Sequence, residues 1–350
     1  QFSSSLSVIN MAIPETLIHW EPTEHPVISC YVDWRVSGRG LHEAQTIVRK
    51  ELHTAQAQLA ERGAARESFD ADSDRILNYL ENDADRTARG IAVYACHGRN
   101  LWWIVTLGVP LPTQIHSGAR PRLLPLAEAT QEAVRTLVAL VDTNEARLIR
   151  LDRGGTHEAP GPHRDHWKNV HHSNLGGWSQ ANYQRSVDTM IDRFARDVAE
   201  AIGDHAAAEH LDRIALAGDP VITAPVLSAL NPQLRDRVAA IEQIDIRASL
   251  DEVTEHIWPQ VRGNAERDRD TEVQRLLDLA GAERALTDPT LVREQLEAGR
   301  VDSLALDPRE MDDEAAELLI REALTHRSRL IITRGNQPLA DLGGLVASLR

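Results

Sequence analysis

The stretch Gly176-Gly177-Trp178-Ser179-Gln180-Ala181-Asn182-Tyr183-Gln184-Arg185-Ser186-Val187 opens the reading of this chain. Behind it the apolar residues Val187, Met190, Ile191, Phe194, Val198 and Ile202 recur at spacings of three and four. That period lays one apolar stripe along a helix, and Gly203 suits its C-cap. Ahead of it lie two β-patterned runs, 137–141 and 146–151, joined by the turn formers Asp142-Thr143-Asn144, which predict a hairpin. After it come a strand over 213–217, a Pro-bounded turn, a helix around 226–239 and a β-like run at 241–246. Hairpin, helix and returning strands make an α/β unit. The segment from Arg153 to about Asn182, rich in Gly, His, Pro and Trp, is longer than most structureless connections within a compact domain. A loop of that length points to function.

Outward from this centre the pattern repeats twice. On the N-terminal side, 27–32 reads as a strand, 41–62 has helical periodicity through Leu41, Ala44, Ile47, Val48, Leu52, Ala55 and Leu59, and 91–96 with 101–107 form a strand pair around His97-Gly98-Arg99-Asn100. A Pro-rich segment, 110–125, ends this unit. On the C-terminal side a charged helical stretch over 250–279 leads to a helix at 291–298, a strand at 301–306, a helix at 313–326, a strand at 329–333 and a terminal helix at 342–349. Asp312-Asp313-Glu314 supplies negative charge to a helix N-terminus. The expected fold class is therefore α/β (α+β), three consecutive small α/β domains: 1–128, 129–258 with the long Gly-Gly loop before its helix, and 259–350 with a linker helix.

Composition limits function. The 350 residues include 42% apolar and 26% charged residues, which excludes wholesale disorder. A net charge of -15 excludes a uniformly basic surface for nucleic acid, so any polyanion contact needs a local basic island. Between Arg150 and Arg185 there are five basic residues (Arg150, Arg153, Arg164, Lys168, Arg185) against three acidic ones (Asp152, Glu158, Asp165), with His157, His163, His166, His171 and His172 among them. This stretch is that island. The two cysteines, Cys30 and Cys96, each sit in an apolar run and read as buried thiols of a cytoplasmic protein. No apolar run is long enough to span a bilayer, and the Ser-rich start lacks a secretory pattern. With Gln1 first and Met11 shortly after, residues 1–10 read as lying upstream of the fold.

Two adjacent glycines permit positive φ and close approach of the backbone to another molecule. Trp178 adds a π-face of the kind that stacks on nucleobases, and Gln180 an amide that both donates and accepts. The plainer alternative is a flexible turn with Ser179 as N-cap. His163, His166, His171 and His172 are chemically fit to bind zinc, yet their spacing matches no ligand pattern, so no metal is expected. Phosphate-loop, dinucleotide-binding, HExxH and Gly-x-Ser-x-Gly motifs are absent, which disfavours nucleotide hydrolases and serine esterases. Trp102-Trp103, in an apolar run, reads as core.

The Gly-Gly loop with Ser179, Tyr183-Gln184-Arg185 opening the helix, and Phe194-Ala195-Arg196-Asp197-Val198-Ala199-Glu200 resemble the central domain of the archaeo-eukaryotic peptide-chain release factors and Pelota. The likeness is nearest to the bacterial branch, with its Vms-like peptidyl-tRNA hydrolases and Balon-like hibernation factors. Ile214-Ala215-Leu216-Ala217-Gly218-Asp219-Pro220 resembles the strand and turn that follow. The segment 296–302 and the closing 343–350 resemble the C-terminal domain, itself related to kink-turn-binding ribosomal proteins.

The resemblance implies a cytoplasmic, cofactor-free translation factor whose partners are the ribosome (23S rRNA at the peptidyl-transferase centre), peptidyl-tRNA and an elongation-factor-type GTPase, with no membrane. It implies that Gly176, Gly177 and Gln180 carry hydrolysis, Gln180 placing the water by positioning and hydrogen bonding. Trp178, Ser179, Arg185, Lys168, Arg164, His171 and His172 would meet RNA. Aligned without a gap, Trp178 fills the place of the catalytic glutamine and Gln180 falls two residues late. The alternative is a non-catalytic, Balon-like factor occupying the A site. The Asn-Ile-Lys-Ser signature of stop-codon reading is missing from the N-terminal unit, so codon-dependent termination does not carry over.

Overall fold

The computed structural model describes residues 13–35, 40–60, 62–152, 155–163, 178–209 and 211–350. Among them the chain is mixed α/β with three sheets. Two compact units emerge, one of Gln1–Ala133, Arg153–Gly155 and Glu266–Arg350, the other of Val134–Asp152 and Thr156–Ala265.

The first unit begins with a short helix α1 (Glu15–Ile18), strand β1 (Val27–Asp33), helices α2 (Gly40–Gln56) and α3 (Ala64–Asn82), and strands β2 (Gly90–Cys96), β3 (Leu101–Leu107) and β4 (Gln114–Gly118). The strands form an antiparallel sheet in the order β3-β2-β1-β4. β1 and β2 are central and buried on both faces, which explains their unbroken apolar runs. Ile28, Cys30 and Val32 join Ile91, Val93 and Ala95 on the face covered by Ala44, Val48 and Leu52 of α2 and Phe69, Ile76 and Leu80 of α3. Both cysteines are buried free thiols, and burial pushes Cys30 far up from its ordinary value. Helix α4 (Leu124–Glu132) follows.

The second unit is a five-stranded sheet between two helical layers. Its strands are β5 (Thr136–Val141), β6 (Glu145–Asp152), β7 (Gly155–His163), β8 (Arg213–Gly218) and β9 (Val238–Glu242), in the order β7-β6-β5-β8-β9. β5 and β6 form the expected antiparallel hairpin, whereas β5, β8 and β9 run parallel. Alternate residues of each strand serve opposite layers. Leu137, Ala139, Leu148, Ile214 and Leu216 pack with Phe194, Val198 and Ile202 of α5 (Trp178–Ala208) and Ile222 and Val226 of α6 (Pro220–Ala229). Val138, Leu140, Ile149, Ala215 and Ala217 pack instead with Val253, Ile257 and Val261. A short helix α7 (Pro232–Arg235) precedes β9, and α8 (Leu250–Gly281) carries the last three of those residues in its first half.

The remainder of the first unit contains β10 (Ala285–Leu286), α9 (Pro289–Glu297), β11 (Val301–Leu306), α10 (Asp313–Thr325), β12 (Arg329–Ile332), α11 (Gln337–Ala340) and β13 (Leu345–Leu349). The sheet order is β10-β13-β11-β12, with β11 and β12 parallel and β13 antiparallel to β11. Val273 and Leu276 of α8 cover one face, against Ala305, Ile331, Leu339 and Val346. Asp312 accepts the N–H of Ala315 at 2.8 Å and so caps α10, as the acidic cluster suggested.

Several expectations are corrected. The reading over 226–239 gives way to two helices and a strand: Asp219 caps α6, Leu230 turns extended, and Asn231 caps α7 with Pro232 at its first position. A residue before proline is driven out of the helical region, so Asn231-Pro232 divides what periodicity alone would join. The following strand is Val238–Glu242, earlier than 241–246. Residues 342–349 are no helix: Gly343 and Gly344 take φ of +85° and +75°, and β13 then runs as an inner strand with Leu345, Val346 and Ala347 buried. Gly203 lies inside α5 and caps nothing, because Ile202 and Ala206 continue the packed stripe. Trp103 is 43% exposed on edge strand β3 and is not core, whereas Trp102 is half-buried and packs against the first unit's apolar cluster, with Arg75 4.0 Å above its ring. The sequence reading assigns no element to 64–82 or 114–118, which form α3 and β4.

Candidate functional site

The polypeptide around the Gly-Gly segment is framed by β7 on one side and α5 on the other. The segment assigned to a loop between Arg153 and Asn182 is a strand for nine of its residues, Gly155–His163. Its Gly and Pro content disguises it. Pro160 and Pro162 cannot donate to a ladder, a defect tolerated on an edge strand, and β7 is at the edge of its sheet. Gly161 comes so close to β6 that a Cβ would lie 2.1 Å from the carbonyl oxygen of Ala146. Alternation could not reveal this strand, but a Gly flanked by two prolines after a hairpin was the available signal.

Helix α5 starts at Trp178, so Trp178, Ser179 and Gln180 occupy its first turn. Arg185 is exposed on α5, one turn before Thr189, whose hydroxyl donates to the Arg185 carbonyl at 2.7 Å. Gly176, Gly177, Arg164, Lys168, His171 and His172 lie outside the described residues, as does His166.

The described part of the expected basic island is not basic. Arg150 lies 2.8 Å from Asp152 and 2.9 Å from Glu209. Arg147 forms a two-pronged pair with Glu158, at 2.5 and 2.9 Å, and this pairing raises the guanidinium and lowers the carboxyl from their ordinary values. The same Arg147 donates to the carbonyls of Ile246 and Ala248, both at 2.7 Å, fastening the segment before α8 to the hairpin. His157 approaches Asp152 at 4.0 Å and His163 approaches Glu145 at 3.7 Å. Counting charges in sequence overlooked these partners, because Glu145 and Glu209 lie outside the interval yet fold against it. Among the described residues no group of three or more His, Cys, Asp or Glu side chains converges as a metal site would require, and no helix is long and apolar enough to cross a membrane.

Residues 121–262 match the family described as bacterial archaeo-eukaryotic release factor family 10. Among curated proteins none matches the chain. Solved structures similar to it include the archaeal translation termination factor aRF1, at 17% identity over 99% of this chain and 98% of that one with a TM-score of 0.26. Archaeal Pelota, from a model of ribosome-bound Pelota and ABCE1, shares 15% identity over 99% and 93% with a TM-score of 0.46. Dom34 of S. cerevisiae, a termination-like factor interacting with Hbs1, shares 8% over 74% and 80% with a TM-score of 0.38. The part matched to family 10, residues 121–262, holds the Gly-Gly segment, the hairpin before it and the long helix after it.

Proposed function

We propose that the chain is a ribosome-associated translation factor of release-factor and Pelota type that hydrolyses the peptidyl-tRNA ester on stalled ribosomes or 50S particles through Gly176, Gly177 and Gln180. The observation that carries this reading is the family match over 121–262, which spans these residues. Adjacent glycines let the backbone approach a crowded catalytic centre, and an amide can orient water and stabilise a developing oxyanion. Trp178, Ser179, Arg185, Lys168, Arg164, His171 and His172 face RNA in this reading. The division into 1–128, 129–258 and 259–350 assigns one sheet to each part, and the last is the kink-turn-binding-like domain. An elongation-factor-type GTPase is the delivery partner.

The test is release of labelled peptide from ribosomes or 50S particles carrying peptidyl-tRNA. Wild type releases peptide and Gln180→Ala does not; equal inertness of the two overturns hydrolysis.

A second reading rests on Trp178 in the glutamine's place and on the helical first turn at 178–180: a factor that fills the A site without chemistry. It requires salt-sensitive ribosome pelleting that Trp178→Ala weakens, and unchanged pelleting by that variant rejects it.

A further inference from the structure

The segment Pro121-Arg122-Leu123-Leu124, where the family match begins, is a strap leading into α4 whose backbone is held by side chains of two different sheet systems. From the first sheet, Ser29 Oγ accepts the Arg122 N–H at 3.0 Å and the Tyr31 hydroxyl donates to the Arg122 carbonyl. From α10, the two carboxylate oxygens of Glu317 accept the N–H groups of Leu123 and Leu124, each at 2.8 Å. Arg321, one turn further along α10, donates to the Pro121 carbonyl at 2.8 Å and to the carbonyls of Leu17 and Ile18 in α1.

This arrangement replaces local capping. Leu123 is the N-cap of α4 and offers no side-chain acceptor. Glu317 supplies one from almost two hundred residues away, and its negative charge suits a helix N-terminus. At the other end of α4 the Gln131 amide donates to the Ile332 carbonyl at 2.7 Å and accepts the Ile332 N–H at 2.9 Å, so a side chain continues the ladder along edge strand β12. Arg334 pairs with Glu128 between these points, at 2.8 and 3.1 Å. Arg122 reaches Asp313 at 2.9 Å.

We propose that this strap is a latch within the first unit, through which Glu317 and Arg321 of the third sheet system hold α1 and the start of α4 and make the first and third sheet systems open and close as one cooperative body. The grip consists of directed bonds to backbone groups that would otherwise be buried without partners. Loss of Glu317 therefore exposes the strap, and the disturbance spreads to both sides.

Hydrogen exchange on the full chain, read at single amides, tests the latch. In Glu317→Ala the amides of Leu123 and Leu124 exchange about ten-fold faster or more. The increase extends to α1 and to Ile332, while β5 and β8 keep their wild-type rates. Trypsin cleavage after Arg122 accelerates in parallel. Glu317→Gln, which keeps the size and one acceptor, serves if the alanine variant does not fold, and it releases one amide more than the other. Wild-type exchange at both amides in either folded variant overturns the latch. Acceleration confined to the two amides, with α1 and Ile332 unchanged, overturns the cooperative body.

Discussion

Asp72, on the buried face of α3, accepts the backbone N–H of His97 at 2.7 Å and so caps the short helical turn between β2 and β3. One turn earlier, Ser68 accepts the N–H of Gly98 at 2.9 Å. The carboxyl is 2% exposed by residue, and burial pushes its pKa from 3.8 to about 6, with the His97 N–H and Arg75 pulling the other way. A carboxyl raised on folding contributes stability that is complete below pH 3.8 and is lost as the pH rises through about 6. The expected outcome is that Asp72→Asn, which keeps an acceptor and carries no charge, flattens this part of the pH profile in thermal unfolding. Asp72→Ala leaves the His97 N–H unpaired and costs about 1–3 kcal/mol at pH 5. A difference between the wild-type and Asp72→Asn profiles with the opposite slope between pH 4 and 6 refutes the assignment.

Gly218 ends β8 with φ of +120°, and a Cβ there would lie 1.8 Å from the Val141 carbonyl oxygen on β5. Both the backbone conformation and the close approach forbid a side chain. Gly218→Ala should destabilise the protein by about 3 kcal/mol or more, seen as a loss of denaturant midpoint. Gly263→Ala is the control, since a Cβ in helix α8 at that position meets nothing within 4 Å. There the change should be neutral or stabilising, by up to about 1 kcal/mol.

These two sites mark how far the sequence could be read. The hairpin and β8 were legible because Leu137, Ala139 and Val141 alternate with Val138 and Leu140, and both sets find a helical layer. The apolar stripe of α5 was legible for the same reason, that its period is local. What escaped depends on partners distant in sequence. Asp72 stands in the stripe Phe69, Ile76, Leu80 of α3 and so weakens its apolar pattern, because it serves a turn twenty-five residues away. Leu345 and Val346 fit either period until Gly343 and Gly344 turn the chain into a strand. At the candidate site, Gly176 and Gly177 were visible as chemistry, whereas the neutralisation of Arg150 by Glu209 was not.

That neutralisation separates two arginines that composition treats alike. Arg150 is held by Asp152 and Glu209, and Arg185 is exposed on the first third of α5. If the proposed RNA contact is made, Arg185→Ala should weaken ribosome pelleting and reduce the slope of log affinity against log salt by about 1. Arg150→Ala should leave that slope unchanged. Equal slopes for all three proteins would remove Arg185 from the interface.

Gln131 answers both polar groups of Ile332, and this geometry discriminates between substitutions of nearly equal size. Gln131→Ala abandons a donor and an acceptor on an edge strand and should cost about 1–3 kcal/mol. Gln131→Glu keeps an acceptor for the Ile332 N–H but turns a carboxylate oxygen toward the Ile332 carbonyl, where the amide had donated. Two acceptors then face each other with a negative charge beside Glu128 on the same helix. Glutamate should therefore be at least as destabilising as alanine at pH 7, despite its closer shape, and should recover as the pH falls and the new carboxyl takes up a proton able to bridge to the carbonyl. Paired urea titrations at pH 5 and pH 7 measure this. A glutamate variant as stable as wild type at both values would mean that the Gln131 amide does not extend the β12 ladder in solution.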